Sequence, residues 1–314
     1  MNQKTLSFKG NFKMNIEKNI KKFVRYMLKI LLSVNFIRVP LRWASKRGLL
    51  PRMVWRRLPV IATFRVSVGS CKKFFKYSSS CGDAIGRALY WVGEGGREPE
   101  SIDIFSRLAK RSKLFIDIGA NTGHYSLYAC AVNPEIQVIA FEPVPHIYNR
   151  FNVNIELNFW QNRCVGKNAA VSNYTGMTKF HVPYSSLPTS ASLDLNGFHN
   201  NPGKIIEVPV VTIDSIVSEG KYPDLVKIDV EGFEDKVLEG MTNTLKLSQP
   251  CLIVECNPGG PYKLVEMILA DFGYRFFCLH KNGLIPCKKI LPDSNENARN
   301  WLCLPESRLS WINK

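Results

Sequence analysis

Residues Lys113–Tyr128 read KLFIDIGANTGHYSLY, and this stretch decides the fold. Leu114, Phe115, Ile116 and Ile118 form a short apolar run, the signature of a strand buried on both faces. Asp117 interrupts the run, and Gly119-Ala120-Asn121-Thr122-Gly123 follows as a loop. His124–Cys130 reads as the first turns of a helix that turns Tyr125, Leu127 and Tyr128 toward a sheet. Strand, glycine loop and helix together open a nucleotide-type binding fold.

The details of the loop narrow the ligand. A dinucleotide fingerprint, Gly-x-Gly-x-x-Gly, lets pyrophosphate approach bare backbone at a helix start. Here Asn121 holds the place of the middle glycine, between Gly119 and Gly123, and Asp117 at the strand end would repel a pyrophosphate. An acid beside a glycine loop suits a cofactor with a cationic end and no phosphate, and S-adenosylmethionine has that chemistry. A plain β-turn-α unit with a capping loop would carry the same glycines. Gln137–Phe141 (QVIAF) reads as a second apolar strand ending in Glu142-Pro143. An acid at that tip can accept hydrogen bonds from both ribose hydroxyls. An exposed loop acid is the plainer account of Glu142.

The chain at this point resembles the FkbM family of S-adenosylmethionine-dependent methyltransferases. The resemblance is carried by DIGANTGHYSL at 117–127, AFEPVP at 140–145, Asn154, Ala170-Val171, KIDVEGFEDKVLEG at 227–240 and LIVE at 252–255. It spans about 80–255, with a lead-in, GGREPESI, at 95–102. It implies an α/β, Rossmann-like class I methyltransferase fold, with a seven-stranded, mostly parallel sheet and helices on both faces. It also implies O-methylation of a hydroxyl on a sugar, glycan or other secondary metabolite. Two other readings stand beside it: a dinucleotide-dependent oxidoreductase, and a non-catalytic S-adenosylmethionine-binding module. Asn121 and Asp117 oppose the first, and the intact set Asp117, Glu142 and Asp229 opposes the second.

The net charge of +16 on 314 residues is unevenly placed. Residues 1–66 hold 16 Lys or Arg and a single acid, Glu17, whereas the remaining residues are close to neutral. The expected division is therefore a basic, partly helical extension at 1–66 and a methyltransferase domain at 67–314. Ile16, Ile20, Phe23, Met27, Leu31 and Val34 step by three or four, with Lys18, Lys21, Lys22, Arg25 and Lys29 mostly opposite. The longest apolar run there, Ile30–Leu32, falls far short of the ~20 residues of a membrane span. Three roles fit a basic amphipathic helix at 16–37. It can lie on an anionic membrane surface, pack on its own domain or a second subunit, or, least favoured, bind nucleic acid. Nine cysteines without C-x-x-C or metal-ligand spacing point to buried thiols in a reducing compartment, so a cytoplasmic location is expected, with peripheral attachment at the membrane inner face left open. A Cys71–Cys81 bridge is the disfavoured alternative.

Further strands are expected at 60–66, 163–171, 178–182, 205–213, 225–228, 251–254, 275–279 and 300–304, and helices at 99–111, 145–157, 234–247 and 262–272. Pro40 and Pro51 should punctuate the N-terminal segment, and Asp214 should start a short helix. The Ser-rich stretch 185–192, with Phe198, His199, Asn200 and Asn201 beyond it, sits where such folds shape an acceptor site. In open α/β sheets, ligands bind beyond the carboxyl ends of the strands. Asp117, Glu142, Asp229 and Glu231 should gather there. Cofactor contacts are expected from Asp117, Gly119, Asn121, Gly123 and Glu142, with Asn168 a candidate for the adenine edge. Asp229 is expected as the base or acceptor-orienting group and Glu231 as second candidate, with Lys227 pairing one of them. His124 is the alternative base, and Asn154 and Glu98 are candidates whose plain reading is a loop contact and a helix-start acid. A structural role for the Lys227–Gly232 motif, KIDVEG, also stands. No spacing argues for a metal, although a divalent cation held by Asp229 and a neighbouring acid is chemically open.

Overall fold

The computed structural model describes residues 35–69, 73–184, 203–217, 221–293 and 299–312. The expected helix at 16–37 lies almost wholly outside them, as do Cys71, the stretch 185–192 and residues 198–201. The described residues open with helices α1 (Asn35–Lys46) and α2 (Arg52–Trp55), then a hairpin of β1 (Ala62–Val68) and β2 (Lys73–Ser79). Helices α3 (Ala84–Trp91) and α4 (Pro99–Arg111) lead into β3 (Leu114–Ile118), α5 (His124–Val132), β4 (Gln137–Phe141), α6 (Pro145–Glu156) and β5 (Cys164–Lys167). A second small sheet follows from β6 (Ala170–Val171), β7 (Gly176–Pro183) and β8 (Gly203–Val211). Then come α7 (Ile213–Ile216), β9 (Leu225–Ile228), α8 (Glu234–Glu239), α9 (Thr242–Ser248), β10 (Cys251–Glu255) and α10 (Tyr262–Asp271). Strands β11 (Tyr274–His280), β12 (Gly283–Cys287) and β13 (Asn300–Pro305) close the chain.

The main sheet runs β12-β11-β13-β10-β9-β3-β4-β5. Its five strands from β10 to β5 are parallel, and β13 runs against both of its neighbours. The sheet therefore has the seven strands expected plus an eighth, β12, added at the edge by a tight turn after His280. That strand was not expected from sequence, because GLIPC lacks a clear alternation and carries a proline; at an edge a missing N–H is tolerated.

Alternate residues of the central strands enter different cores. Phe115, Leu225 and Ile253 pack with α4, α5 and the N-terminal hairpin, while Ile116, Val226 and Leu252 pack with α8, α9 and α10. Both faces are covered, which is why these strands read as apolar runs broken only by Asp117 in β3, Lys227 in β9 and the terminal Glu255 of β10. The chain steps from β3 to β4 on one side and later places β9 on the other. A crevice at the carboxyl ends of β3 and β9 follows from that reversal.

Several expectations need correction. The helix expected over 234–247 is two helices. A Cβ on Gly240 would come within 2.0 Å of the Ser172 carbonyl oxygen, so only glycine permits the close approach at the break. The Asp214 carboxylate then accepts from the Asn243 and Thr244 amides, satisfying the start of α9. Pro40 does not punctuate the chain but sits inside α1. The 66/67 boundary falls within β1, whose Val66 pairs with Phe75 and is buried in the same core as Phe115. No helix among the described residues is long and apolar enough to cross a membrane. The eight described cysteines are all free thiols, and most are buried.

Candidate active site

The glycine loop after β3 is held from both sides. Gly119 and Ala120 donate to the Phe141 carbonyl at 3.0 and 2.9 Å, tying the loop to the end of β4. Gly119 has φ +81°, and a Cβ there would lie 1.9 Å from the Asp229 carbonyl oxygen, so glycine is needed where the two strand ends meet. Asn121 adopts the left-handed region at φ 50°, which Asn tolerates better than most residues, and its side-chain oxygen accepts from the Thr122 amide. Gly123 (φ 95°) lies where a side chain would press on Phe151. Below the loop, the Thr122 hydroxyl shares a 2.6 Å hydrogen bond with Tyr77, whose hydroxyl donates to Asp83 at 2.9 Å. Asn154 is fully buried and bridges from the Thr122 carbonyl to the Ser78 amide. Its role here is to brace the loop against the N-terminal hairpin.

A cleft of about 200 Å³ opens above these strand ends. Asp117, Gly119, Asn121, Glu142, Asp229 and Glu231 all line it. Gly123 and Asn168 are not among its lining residues. Asn168 instead donates through its amide to the Glu142 and Pro143 carbonyls at 2.8 and 2.9 Å, pinning the loop after β4. Asn168 thus braces the backbone of that loop through both donors of its amide.

Asp117 is buried, and one carboxylate oxygen accepts from the Ser126 hydroxyl at 2.6 Å and the Ser126 amide at 3.1 Å. Burial raises its pKa to about 6 against those two hydrogen bonds. Glu142 accepts from the Asn121 and Val144 amides, and burial still pushes it up to about 7. Lys227 is fully buried, with its ammonium 3.0 Å from the Asp229 carboxylate and 4.8 Å from the Tyr125 ring centre. Burial works against that charge, but the carboxylates of Asp229, Glu98 and Glu255 outweigh it and hold the ammonium protonated. Lys227 therefore pairs with Asp229, the first of the two candidates expected.

Glu255 was not singled out from sequence, whereas Glu98 was named there as a candidate. Asp229, Glu231 and Glu255 bring carboxylate oxygens within 4.8 Å of one another, one group among the described residues that could hold a metal ion. The Asp229 charge, followed by burial, raises Glu255 well above the usual carboxylate range. Burial and the neighbouring Asp229 and Glu234 push Glu231 up to about 7. Glu98 sits at the start of α4 in the left-handed region and is tied to Arg97 at 3.0 Å and to the Tyr125 hydroxyl at 2.7 Å. Burial would raise it, but Arg97 and Lys227 bring it down to about 2. The signal for Glu255 was present, since it ends a core strand as Glu142 and Asp229 follow theirs. His124 lines the cleft edge-on to Tyr125 and Tyr128, and burial depresses its pKa to about 3, which makes it a poor base at neutral pH.

A doubly covered sheet of this strand order, with an acid-lined cleft at its switch point, is that of a class I methyltransferase. Residues 117–276 match the model of the methyltransferase FkbM domain, about half of the chain. The chain belongs to the FkbM methyltransferase family and is an enzyme of that kind. It is 28% identical over 177 residues to the hexuronic acid methyltransferase AglP of Haloferax volcanii, covering 55% of this chain and 68% of that protein. It is 26% identical over 202 residues to methyltransferase sdnD of Sordaria araneosa, covering 51% and 72%. A solved methyltransferase FkbM structure from Methylobacillus flagellatus superposes with a TM-score of 0.42 at 17% identity, over 61% of this chain and 43% of that one. Family membership sets aside the dinucleotide-dependent oxidoreductase.

Proposed function

We propose that this methyltransferase uses S-adenosylmethionine to methylate a hydroxyl of a sugar, glycan or other secondary metabolite. The observation that carries the reading is the charge of the cleft. Its lining holds six carboxylates (Glu98, Asp117, Glu142, Asp229, Glu231 and Glu255) against three cations (Arg97, Lys227 and Arg299). Such a lining fits a cofactor bearing a sulfonium and an ammonium, and it disfavours a pyrophosphate. When bound, that cofactor supplies an electrophilic methyl group.

Asp117, at the base of the cleft, would take the ammonium, and Glu142, at the tip of β4, would accept from the ribose hydroxyls. Gly119 and Asn121 shape the loop between them. Asp229 stands across the cleft, fixed by Lys227, and would orient the acceptor hydroxyl and take its proton. A positioned carboxylate of this kind contributes typically ~10²–10⁴-fold. Glu231 is the second candidate for that proton. The likeness to AglP favours a sugar acceptor. Calorimetric titration with S-adenosylmethionine, S-adenosylhomocysteine and NAD tests the cofactor. Binding of the first two alone supports the reading, and binding of NAD alone overturns it.

A further inference from the structure

Beside the cleft lies a larger cavity, about 670 Å³, walled by the N-terminal helices α1–α3, the start of α4 and the closing strands. The two cavities share Arg97, Glu98, Glu255 and Arg299, so a molecule in the larger one abuts Glu255, one of the three clustered carboxylates of the cleft. Their charge balance is reversed. The larger cavity is lined by six cations, Arg52, Arg56, Arg87, Arg97, Lys281 and Arg299, against three acids, Glu98, Glu100 and Glu255. Setting aside the Arg97–Glu98 ion pair leaves five cations facing two acids. Arg56 and Arg87 line the same cavity, and burial, followed by the Arg56 charge, works against the Arg87 charge, while Asp83 partly offsets them. A wall with this excess of cations favours an anionic ligand. Arginine's planar fork suits carboxylate and phosphate oxygens in two-point hydrogen bonds.

We infer that this cavity is the acceptor site and that it takes a sugar carrying a carboxylate or phosphate, whose anionic group is held by Arg56 and Arg87. The inference rests on the methyltransferase reading of the neighbouring cleft. It divides the enzyme into an acidic half for a cationic cofactor and a basic half for an anionic acceptor. It also gives residues 52–87, which lie before the segment matched by the family, a part in choosing the substrate. The cavity is of ordinary size for a small ligand, within the usual range of roughly 300–1,000 Å³.

The test is calorimetric titration of the full chain with glucuronate, glucose 1-phosphate, inorganic phosphate and neutral glucose, each to 10 mM, with S-adenosylmethionine titrated separately. At least one sugar anion should bind ten times or more tightly than glucose. Tighter glucose 1-phosphate binding would identify phosphate as the preferred group, and tighter glucuronate binding a carboxylate. Arg56→Gln with Arg87→Gln should weaken the sugar anion at least tenfold while S-adenosylmethionine affinity stays within twofold. If that pair lowers the melting temperature, Arg52→Gln with Arg56→Gln, both exposed, should still weaken anion binding several-fold. Equal binding of glucose and the anions, no anion binding at 10 mM, or folded variants that bind anions as the wild type does would each overturn the inference. Anion binding by a protein that binds no S-adenosylmethionine would instead remove the cofactor reading and leave the basic cavity standing.

Discussion

Replacing Lys227 by methionine tests how the centre of the site is held together. The side chain is about as long and would keep the packing against Tyr125, so the change removes chiefly a charge. Lys227 is 1% exposed and balances Asp229 directly, with Glu98 and Glu255 as further carboxylate neighbours. Removing one partner of a buried ion pair costs about 3–5 kcal/mol, because the other charge is left without compensation. At roughly 2–4 °C per kcal/mol for a large domain, the melting temperature should fall by about 6–20 °C. Asp229→Asn alone should cost less, since Asp229 is 23% exposed and Lys227 keeps its other carboxylate neighbours. The double variant should then be more stable than the sum of the two single losses by at least ~1 kcal/mol. Melting curves of the four proteins at pH 7.5, with methyl transfer followed as S-adenosylhomocysteine release, measure both effects. A Lys227→Met protein with wild-type melting temperature and turnover, or strictly additive losses, would refute the argument that this ammonium organises the carboxylates.

Asp229→Asn should lower methyl transfer by about 10²–10⁴-fold while S-adenosylmethionine affinity survives; loss of binding by a folded variant would move Asp229 into the cofactor's surroundings. Asp117→Ala should weaken S-adenosylmethionine at least tenfold. Because Asp117 also anchors Ser126, it should cost about 1–3 kcal/mol of stability, and an unchanged affinity would take it out of the site. Glu142→Ala should weaken S-adenosylmethionine and S-adenosylhomocysteine by similar factors, and unequal losses would remove the ribose assignment. Glu231 has its folded pKa raised from 4.5 to about 7, so the folded state binds the extra proton and stability falls as pH rises across that window. Glu231→Gln should therefore raise the melting temperature at pH 8 and leave it nearly unchanged at pH 4, and a lower value at pH 8 would contradict the sign. The outer face of α1 exposes Phe36, Val39 and Trp43 in a segment that has no acid from Lys18 through Gly82, so the full chain should co-sediment with vesicles containing anionic lipid at low salt. Phe36→Ser with Val39→Ser should abolish that, and a wild type that stays in solution would exclude the membrane role.

The strands at 114–118, 137–141 and 225–228 were legible in sequence to the residue, because burial on both faces makes each a short, mostly apolar run. Pro99–Arg111 was equally plain, with proline in its first turn and basic residues in its last. What escaped depends on contacts distant in sequence. The break at Gly240 is imposed by Ser172, and nothing in KVLEGMTNTL announces that neighbour. Asn168 looks like a ligand contact at a strand end until the loop carbonyls of Glu142 and Pro143 are in place around it. The meeting of Asp117, Glu142, Asp229 and Glu231 on one edge could be foreseen, since topology alone puts strand ends together. The arrival of Glu255 and Glu98 beside Lys227 could not, because it needs the pairing of β10 with β9 and the left-handed turn at Glu98.

The brace between Asn154 and the β1–β2 hairpin has a consequence for synthesis. The hairpin leaves the ribosome early, yet Ser78 must wait for Asn154, 76 residues later, to satisfy its amide. At roughly 5–20 residues per second that interval is about 4–15 s. For the first part of it Phe75 and Tyr77, both fully buried in the finished protein, also lack the helix surface of Tyr128 and the hydroxyl of Thr122. The nascent β1–β2 hairpin is thus an exposed aromatic strand pair until the glycine loop that it supports has been made.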